Sequence, residues 1–300
     1  MELRVLEYAI ALAQQKSFSK AAEKLHIAQP SLSQQIKKLE QEVGVALFER
    51  RPRDIELTYA GKRFIDQASK ILDHVEQLKK EMIDVADMKK GQLIIGSLPI
   101  TGSHLLPLAL PLFQKQYPGI ELVLIEETTS NLESLTAKGQ TDISLLSLPI
   151  LDPGVDRIPL LKEEILLAIP PIHHFAKHST INLSDFERDS FILLKKGQGF
   201  RQIAEQLCFQ AGFKPNVVFE STNIETIQSL VSAGMGVSFV PKMVARSNRS
   251  QEVTPVYLQI GDDHPSRTLV IGYKKGRYLS KAALAFIDVM KEVAFMPLFS

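Results

Sequence analysis

The sequence predicts an α/β protein in three parts: a small all-α N-terminal unit, one long helix, and a larger domain in which strands and helices alternate. Apolar residues recur at helical spacing through residues 3–43, and then every 3.5 residues on average from 64 to 85. Beyond residue 91, strand-like and helix-like stretches follow one another in turn. A length of 300 residues with 45% hydrophobic and 23% charged residues fits a globular chain of about two domains.

Charge and cysteine content exclude several classes of protein. The net charge of +1 shows that the whole chain is not a polyelectrolyte, so any binding of nucleic acid depends on local charge. Residues 1–63 carry eleven Lys and Arg against eight Asp and Glu. The single cysteine, Cys208, allows no internal disulfide and no Cys-based zinc site. Without a signal peptide or a long apolar run, we expect a cytoplasmic protein that makes no membrane contact and needs no cofactor.

Three helices are predicted in the N-terminal unit. The first begins near Leu3; the second spans Lys20 to Leu25 after a capping residue supplied by Ser17-Phe18-Ser19; and the third begins at Gln29 or Pro30, where proline is tolerated, and ends before Gly44. The short turn between the second and third helices gives the spacing of a helix-turn-helix.

The third helix has two different faces. Its predicted buried stripe consists of Leu32, Ile36, Leu39 and Val43. The opposite face is polar and lacks acidic residues: Ser31, Gln34, Lys38 and Gln41, with Pro30 and Lys37 at its margin. Such side chains suit the major groove of DNA, and the arginines of a predicted hairpin over residues 49–58 could reach the phosphate backbone. The alternative is a three-helix packing unit whose polar face only meets water.

The long helix begins near Thr58. Its apolar positions alternate steps of four and three residues, which predicts packing against a partner helix: Phe64, Ala68, Ile71, Val75, Leu78, Met82 and Val85. The alternative is a helix that faces its own core.

The domain that follows has its best boundary at Lys89-Lys90-Gly91. Strands are predicted at 92–97, 120–126, 143–148, 165–169, 191–194, 217–220, 237–240, 256–260 and 268–273, with helices over 103–116, 131–138 and 281–294. Regular alternation implies a parallel sheet covered on both faces.

Residues 17–61 resemble the winged helix-turn-helix of the LysR-type transcriptional regulators. The resemblance rests on Ala21-Ala22, Leu25, Gln29-Pro30-Ser31, Ser33, Leu39-Glu40, Leu47-Phe48-Glu49-Arg50, Leu57-Thr58 and Ala60-Gly61. The segments KGQTDISLL (138–146) and LVSAGMGVSFVP (230–241) resemble the sensor domain of the same family. One departure is His174, which stands where the family usually has proline.

The resemblance implies a division into a winged helix-turn-helix (1–58), a linker or dimerisation helix (59–90) and an effector-binding domain (91–300). The last would be two-lobed, like a type 2 periplasmic binding protein, with lobe I at 91–161 and 268–300 and lobe II at 162–267. It also implies a dimer or tetramer on an interrupted palindrome in double-stranded DNA, with RNA polymerase as a further candidate partner. The predicted DNA-binding residues are Gln29, Pro30, Ser31, Ser33, Gln34, Lys37, Lys38, Arg50, Arg51, Arg53 and Thr58.

A small-molecule site is predicted where strands lead into helices, because helix N-termini present N–H groups there. The candidate effector-binding residues are Pro99, Ile100, Thr101, Gly102, Thr128, Thr129, Ser130, Gly199, Phe200, Arg201, Thr222 and Asn223. Glu133 is expected to complete a capping box after Ser130. We expect an organic anion as effector, since Arg201 and the helix dipoles would attract a carboxylate. For each hydroxyl residue, the alternative is an ordinary helix cap.

Other candidate sites are weaker. His173, His174 and His178 could hold a metal only if the segment were helical, and a solvated loop is favoured after Pro170-Pro171. Two Gly-x-Gly pairs, at 197–199 and 234–236, lack the third glycine of a dinucleotide motif and indicate tight turns. Motifs of hydrolases, P-loops and metalloproteases are absent from the sequence, so catalysis has no support.

The sequence therefore predicts a bacterial LysR-type regulator that controls promoters in response to a small metabolite. A metabolite-binding or enzymatic α/β protein whose N-terminal helices only dimerise is the alternative. A third possibility is an architectural DNA-binding protein with a vestigial sensor.

Overall fold

The computed structural model describes residues 1–50, 55–85, 91–245 and 254–296. The chain forms two compact units, Met1–Val85 and Ala86–Ser300. A helical unit with a long helix thus precedes an α/β domain, which confirms the predicted fold class. None of the helices in the described ranges is long and apolar enough to cross a membrane.

The first unit contains four helices and a small hairpin. Its elements are α1 (Leu3–Gln15), α2 (Phe18–Lys24), α3 (Gln29–Val43), β1 (Phe48–Arg50), β2 (Ile55–Leu57) and α4 (Tyr59–Val85). Within the predicted capping segment 17–19 it is Ser17 that caps α2, since its Oγ accepts a hydrogen bond from the N–H of Lys20. As predicted, Gly44 ends α3 in the left-handed conformation at φ 79°. The antiparallel pair β1 and β2 is the predicted wing.

A half-buried acceptor, Glu40, holds the wing against α3. Glu40 Oε1 accepts hydrogen bonds from the N–H groups of Leu47 and Phe48, at 2.8 and 3.0 Å. Of the predicted apolar stripe, Leu32, Ile36 and Leu39 are buried, whereas Val43 is 39% exposed. The prediction was wrong for Val43 because the last turn of α3 extends beyond the core.

The second unit begins with β3 (Gly91–Ser97), α5 (Pro99–Gln116), β4 (Ile120–Glu126), α6 (Thr129–Ala137), β5 (Ile143–Ser147) and β6 (Val155–Ile169). It continues with β7 (Thr180–Ile181), β8 (Ser190–Leu194), α7 (Gly199–Gln210), β9 (Asn216–Ser221), α8 (Ile224–Ser232), β10 (Ser238–Pro241), β11 (Val256–Ile260), β12 (Ser266–Lys274) and α9 (Lys281–Ala294). Two short 3-10 helices lie at Leu183–Phe186 and Lys242–Val244.

The second unit has two lobes with separate hydrophobic cores. Lobe I contains β3 to β5, α5, α6, α9 and the paired parts of β6 and β12, with a core around Phe113 and Phe286. Lobe II contains β7 to β11, α7, α8 and the end of β6, with a core around Phe191 and Phe239. The strand β6 is continuous: residues 155–164 pair with β12, and residues 165–169 pair with β10 and β11.

The sheets are mixed, so the prediction of a purely parallel sheet was wrong. The pairs β3–β4, β3–β5 and β8–β9 are parallel, as alternation predicts. The strand β12 is antiparallel to both β5 and β6. It enters lobe I directly from lobe II, without the crossover helix that parallel pairing requires.

Gly61 provides a test of the first unit's packing. Helix propensity alone favours alanine over glycine in α4. A Cβ atom at Gly61 would overlap the carbonyl oxygen of Leu47 and lie 3.1 Å from a methyl group of Leu57. We therefore expect Gly61→Ala to lower the free energy of unfolding by about 1–3 kcal/mol, measured by urea denaturation. The exposed neighbour Lys62 supplies the control Lys62→Ala, which should change it by less than about 0.5 kcal/mol. A Gly61→Ala variant as stable as the wild type would contradict this packing.

Candidate functional site

A cavity of about 50 Å³ lies between the two lobes, at the carboxyl ends of several strands. The helices α5 and α6 begin beside it in lobe I, and α7 begins beside it in lobe II. Its lining residues are Leu98, Pro99, Ile100, Glu127, Thr128, Thr129, Ser147, Gln198, Gly199, Phe200 and Arg267.

The structure brings half of the predicted effector residues together at this cavity: Pro99, Ile100, Thr128, Thr129, Gly199 and Phe200. A hydrogen bond joins the lobes there, since the N–H of Gly199 donates to Thr129 Oγ1 over 3.0 Å. Gly199 permits this approach, because a Cβ atom on it would lie 2.8 Å from Thr129 Oγ1. Three predicted turns therefore meet, with a glycine where the lobes come closest.

The other six predicted effector residues do not line the cavity. Thr101 is fully buried, and its hydroxyl has no hydrogen-bond partner among the described residues. Gly102 lets α5 pack against Ser97 of β3, and Ser130 is exposed. Thr222 supplies a carbonyl to Gln198, while Asn223 caps α8 by accepting hydrogen bonds at its Oδ1. For Asn223, the ordinary capping alternative is therefore the observed one.

Arg201 was the predicted carboxylate-binding residue, and the structure does not place it at this cavity. Its side chain is 4% exposed and forms ion pairs with Glu205 and Glu220, each at 2.8 Å. It also donates to the carbonyl oxygen of Leu194 at 2.7 Å. The guanidinium group of Arg201 is therefore bonded to these partners within lobe II and does not line the cavity.

Arg267 is instead the arginine that lines the cavity. It lies on β12, and its side chain is 2% exposed, with Nε donating to Glu163 Oε2 over 2.7 Å. The guanidinium carbon lies 5.4 Å from the ring centre of Phe200. Arg267 was not predicted because it comes from a distant part of the chain, at the predicted end of lobe II at residue 267.

The helices around the cavity differ from their neighbours at their N-termini. Among the described residues, the N-cap side chains of α5, α6 and α7 form no capping hydrogen bond, although Thr129 Oγ1 accepts from the N–H of Gly199, the first residue of α7. By contrast, α8 is capped by Asn223 and α9 by Ser280. The three uncapped helices direct first-turn N–H groups and the positive ends of their dipoles towards the cavity.

Two carboxylates reduce the positive potential at the cavity. Glu163 forms the ion pair with Arg267 described above. Glu127 lines the cavity, and its Oε2 accepts hydrogen bonds from Thr128 N and from the side-chain amide of Asn131.

Glu133 does not form the predicted capping box. Its side chain is buried and accepts hydrogen bonds from the N–H groups of Leu151 and Asp152; the residue is 6% exposed. That prediction was wrong because α6 begins at Thr129, two residues earlier than a box from Ser130 requires.

Cys208 lies on α7 in the core of lobe II and is fully buried. Burial, and secondarily the negative charge of Glu205, raises the pKa of its thiol to about 12. The thiol is therefore protonated at neutral pH, and a protonated, buried thiol is a poor nucleophile.

The histidine group is partly packed rather than fully solvated. The ring of His173 stacks on Phe186 with centres 5.3 Å apart, and its Nε2 lies 3.2 Å from Asp189 Oδ1. In the part of the chain that the structure describes, His, Cys, Asp and Glu side chains form no cluster suited to a metal ion. Gly197 and Gly234 both have positive φ, at 94° and 83°, as tight turns require.

The polar face of α3 is exposed in the first unit. Gln29, Pro30, Ser31, Gln34, Lys37 and Lys38 are all exposed, whereas Ser33 is half-buried and has a partner within the protein. Glu42, the acidic residue nearest this face at the end of α3, pairs with the N-terminal amino group at 2.7 Å.

The predicted DNA-binding residues of the wing lie outside the part of the chain that the structure describes, in whole or in their side chains. Arg51 and Arg53 lie outside the described residues, as does the side chain of Arg50. Thr58 was predicted to contact the DNA backbone, but its hydroxyl donates to the carbonyl oxygen of Ala46 over 2.8 Å and accepts from the N–H of Gly61. Because its single proton is used inside the protein, we correct Thr58 to a residue that positions the start of α4.

The predicted seam of α4 divides into two parts. Phe64 packs against the N-terminal core and Ala68 is 2% exposed, so the core-facing alternative holds for the first turns. Further along, Ile71, Leu78 and Met82 are 41%, 57% and 55% exposed. Val75 is half-buried, and the side chain of Val85 lies outside the described residues.

Comparison with known proteins agrees with these features. Residues 3–62 match the model of the bacterial regulatory helix-turn-helix protein, lysR family, and residues 86–295 match the LysR substrate binding domain. The uncharacterized HTH-type transcriptional regulator YcgK of Bacillus subtilis (strain 168) is 42% identical, covering 97% of this chain and 94% of its own length. The DNA-binding transcriptional dual regulator OxyR of Escherichia coli (strain K12) is 34% identical over 92% of this chain and 90% of its own.

A solved structure supports the same assignment. A full-length OxyR variant from Pseudomonas aeruginosa superposes with a TM-score of 0.74 at 28% identity, covering 100% of this chain and 96% of that one. Both units have the sequence and the fold of one family, and its members in these comparisons are regulators rather than enzymes. The chain belongs to the LysR family of DNA-binding transcriptional regulators.

Proposed function

We propose that this regulator binds its operator as a dimer through α3 and α4, and that a small organic anion between the lobes changes that binding. One observation supports the proposed binding of an effector. The uncapped N-termini of three helices, α5, α6 and α7, meet at one cavity beside Arg267. Orphan N–H groups and a buried guanidinium are the donors that bind carboxylates and phosphates in proteins.

The proposed DNA contacts follow from the exposed face of α3. Gln34 and Ser31 can bond base edges in the major groove, and Lys37 and Lys38 can neutralise phosphates. Arg50, Arg51 and Arg53 on the wing would reach the flanking backbone or minor groove. Gln29 and Pro30 begin the helix at its DNA end, and the half-buried Ser33 is the weakest member of the set.

The wider assembly is part of the same proposal. Two copies joined by their long helices would read an interrupted palindrome, and two such dimers would form a tetramer. A change in the relative arrangement of sensor domains would alter the spacing or bend of the half-sites. Such a protein acts in the cytoplasm, and RNA polymerase is a further candidate partner where it activates.

The signal that we propose is non-covalent. Some relatives, including one from Dickeya chrysanthemi at 32% identity, are called hydrogen peroxide-inducible genes activators. Sensing through a disulfide needs a reactive thiolate and a second thiol. This chain has one cysteine, and that cysteine is buried with a raised pKa. We therefore do not carry peroxide induction over to this protein.

DNA recognition is tested by Gln34→Ala. Losing a bidentate base contact costs about 1–3 kcal/mol of discrimination. Against a fragment selected from random DNA with the wild-type protein, we expect about a tenfold or greater loss of affinity in a gel-shift titration, with binding to competitor DNA unchanged. Lys38→Ala should weaken both kinds of binding similarly and reduce the salt slope by about one. The sensor-domain control Gln202→Ala should change nothing. Retained preference for the selected fragment in Gln34→Ala would refute this role.

Dimerisation through α4 is tested by Leu78→Glu. The substitution puts a charge into the exposed apolar stretch of Ile71, Leu78 and Met82. We expect the variant to dissociate at concentrations at which the wild type is dimeric or larger, as measured by sedimentation equilibrium. The matched control is Ser69→Glu, which adds the same charge at an exposed position off the seam and should leave the assembly intact. Identical masses for Leu78→Glu and wild type would show that the seam does not hold the dimer.

The state of Cys208 is tested by alkylation. Folding favours the protonated thiol, because the pKa rises from 9.0 to about 12. Its contribution to stability is therefore present below pH 9 and is lost as the pH rises from 9 towards 12. At neutral pH we expect iodoacetamide and hydrogen peroxide to leave native Cys208 unmodified, and to modify it in urea, as seen by mass spectrometry. Modification of the native protein as fast as the unfolded chain would revive a redox role.

A further inference from the structure

Ile100 joins the two lobes by apolar packing. It lies in the first turn of α5, in lobe I, yet its side chain belongs to the hydrophobic core of lobe II and is 8% exposed. Every other described member of that core comes from residues 165–260. Ile100 also lines the interlobe cavity, together with Phe200 at the start of α7. It therefore fills space that would otherwise extend the cavity into lobe II.

The hydrogen bond between Thr129 and Gly199 described above is a second contact between the lobes at the cavity. With both contacts in place, the cavity measures about 50 Å³. This volume is far below the roughly 300–1,000 Å³ of pockets that enclose drug-sized ligands, so the space suits a ligand of few heavy atoms. A cavity so small excludes an aromatic acid unless the lobes move apart or a side chain is removed.

The polar lining defines what such a small ligand carries. Arg267 and the uncapped helix N-termini favour an anionic group, whereas Glu127 favours a hydrogen-bond donor or cation beside it. The apolar walls, Leu98, Pro99 and Phe200, leave space for only a short hydrocarbon part.

We propose that Ile100 is the specificity-determining residue that limits the effector to small carboxylates, and that shortening it admits longer or aromatic ones. This inference rests on the proposed binding of an organic anion between the lobes. It adds a size limit set by one side chain. The limit acts because binding a larger anion would require removing Ile100 from the lobe II core, at the cost of its buried apolar contacts.

The test uses the full-length protein and a graded series of sodium carboxylates: acetate, lactate, butyrate, hexanoate and benzoate. Affinities are measured by isothermal titration calorimetry against a sodium chloride blank. For the wild type we expect binding of acetate or lactate and none of benzoate. For Ile100→Ala we expect the ratio of benzoate to acetate affinity to rise at least tenfold, with Ile100→Val in between.

The matched control is Ile227→Ala. Ile227 is a fully buried residue of the same core, but it lies on α8 and does not line the cavity. It should lower the unfolding temperature, as Ile100→Ala does, without changing the affinity ratio. An unchanged ratio in Ile100→Ala, with acetate still bound, would overturn the size limit and leave the anion site standing. Failure of every carboxylate to bind both wild type and Ile100→Ala would overturn the anion site and the size limit together.

Discussion

The sensor domain depends on an ion pair buried where the continuous strand β6 passes from one lobe to the other, beside the start of β12. Glu163 on β6 and Arg267 on β12 face each other in the strand register, and their side chains are 4% and 2% exposed. Glu163 also accepts a hydrogen bond from the N–H of Met243 at 2.8 Å, which gives its second oxygen a partner. Burying two charges is costly, and removing one partner of such a pair typically costs about 3–5 kcal/mol.

This constraint links fold to function in two ways. Because β6 continues through the pair, its backbone connects the two lobes at this point. The pair also fixes the guanidinium of Arg267 against Phe200 at the cavity, so the cationic group is already oriented before any ligand arrives. A ligand that binds there contacts both lobes and can favour one of their arrangements over another.

The sequence was most informative where a local pattern determines the outcome. The bounds of α3, α9 and β11 follow from periodicity and capping, and the three turns that meet at the cavity were found from their position between strand and helix. Prediction from the sequence failed where residues distant along the chain bind the same side chain. Arg201 has the expected residue type at the expected turn, but Glu205 and Glu220 neutralise it, while Arg267 arrives from another strand. Thr58 was misread for the same reason, since the carbonyl oxygen of Ala46 takes its proton. Phe64 and Ala68 belong to the heptad pattern of α4, but Phe64 packs against the N-terminal core and Ala68 is buried, so neither is exposed to a partner helix as the pattern predicted.

The central claim is that the uncapped helix N-termini around the cavity, and not those elsewhere in the domain, bind an anion. Amide chemical shifts of the isotope-labelled full-length protein, followed during titration with sodium acetate against sodium chloride, test it most directly. The account predicts saturable shifts at the first-turn amides of Ile100, Ser130 and Phe200, and none at Glu225 or Ala283, which Asn223 and Ser280 cap. Equal shifts at the capped and uncapped first turns, or saturable shifts at a different part of the domain alone, would contradict it.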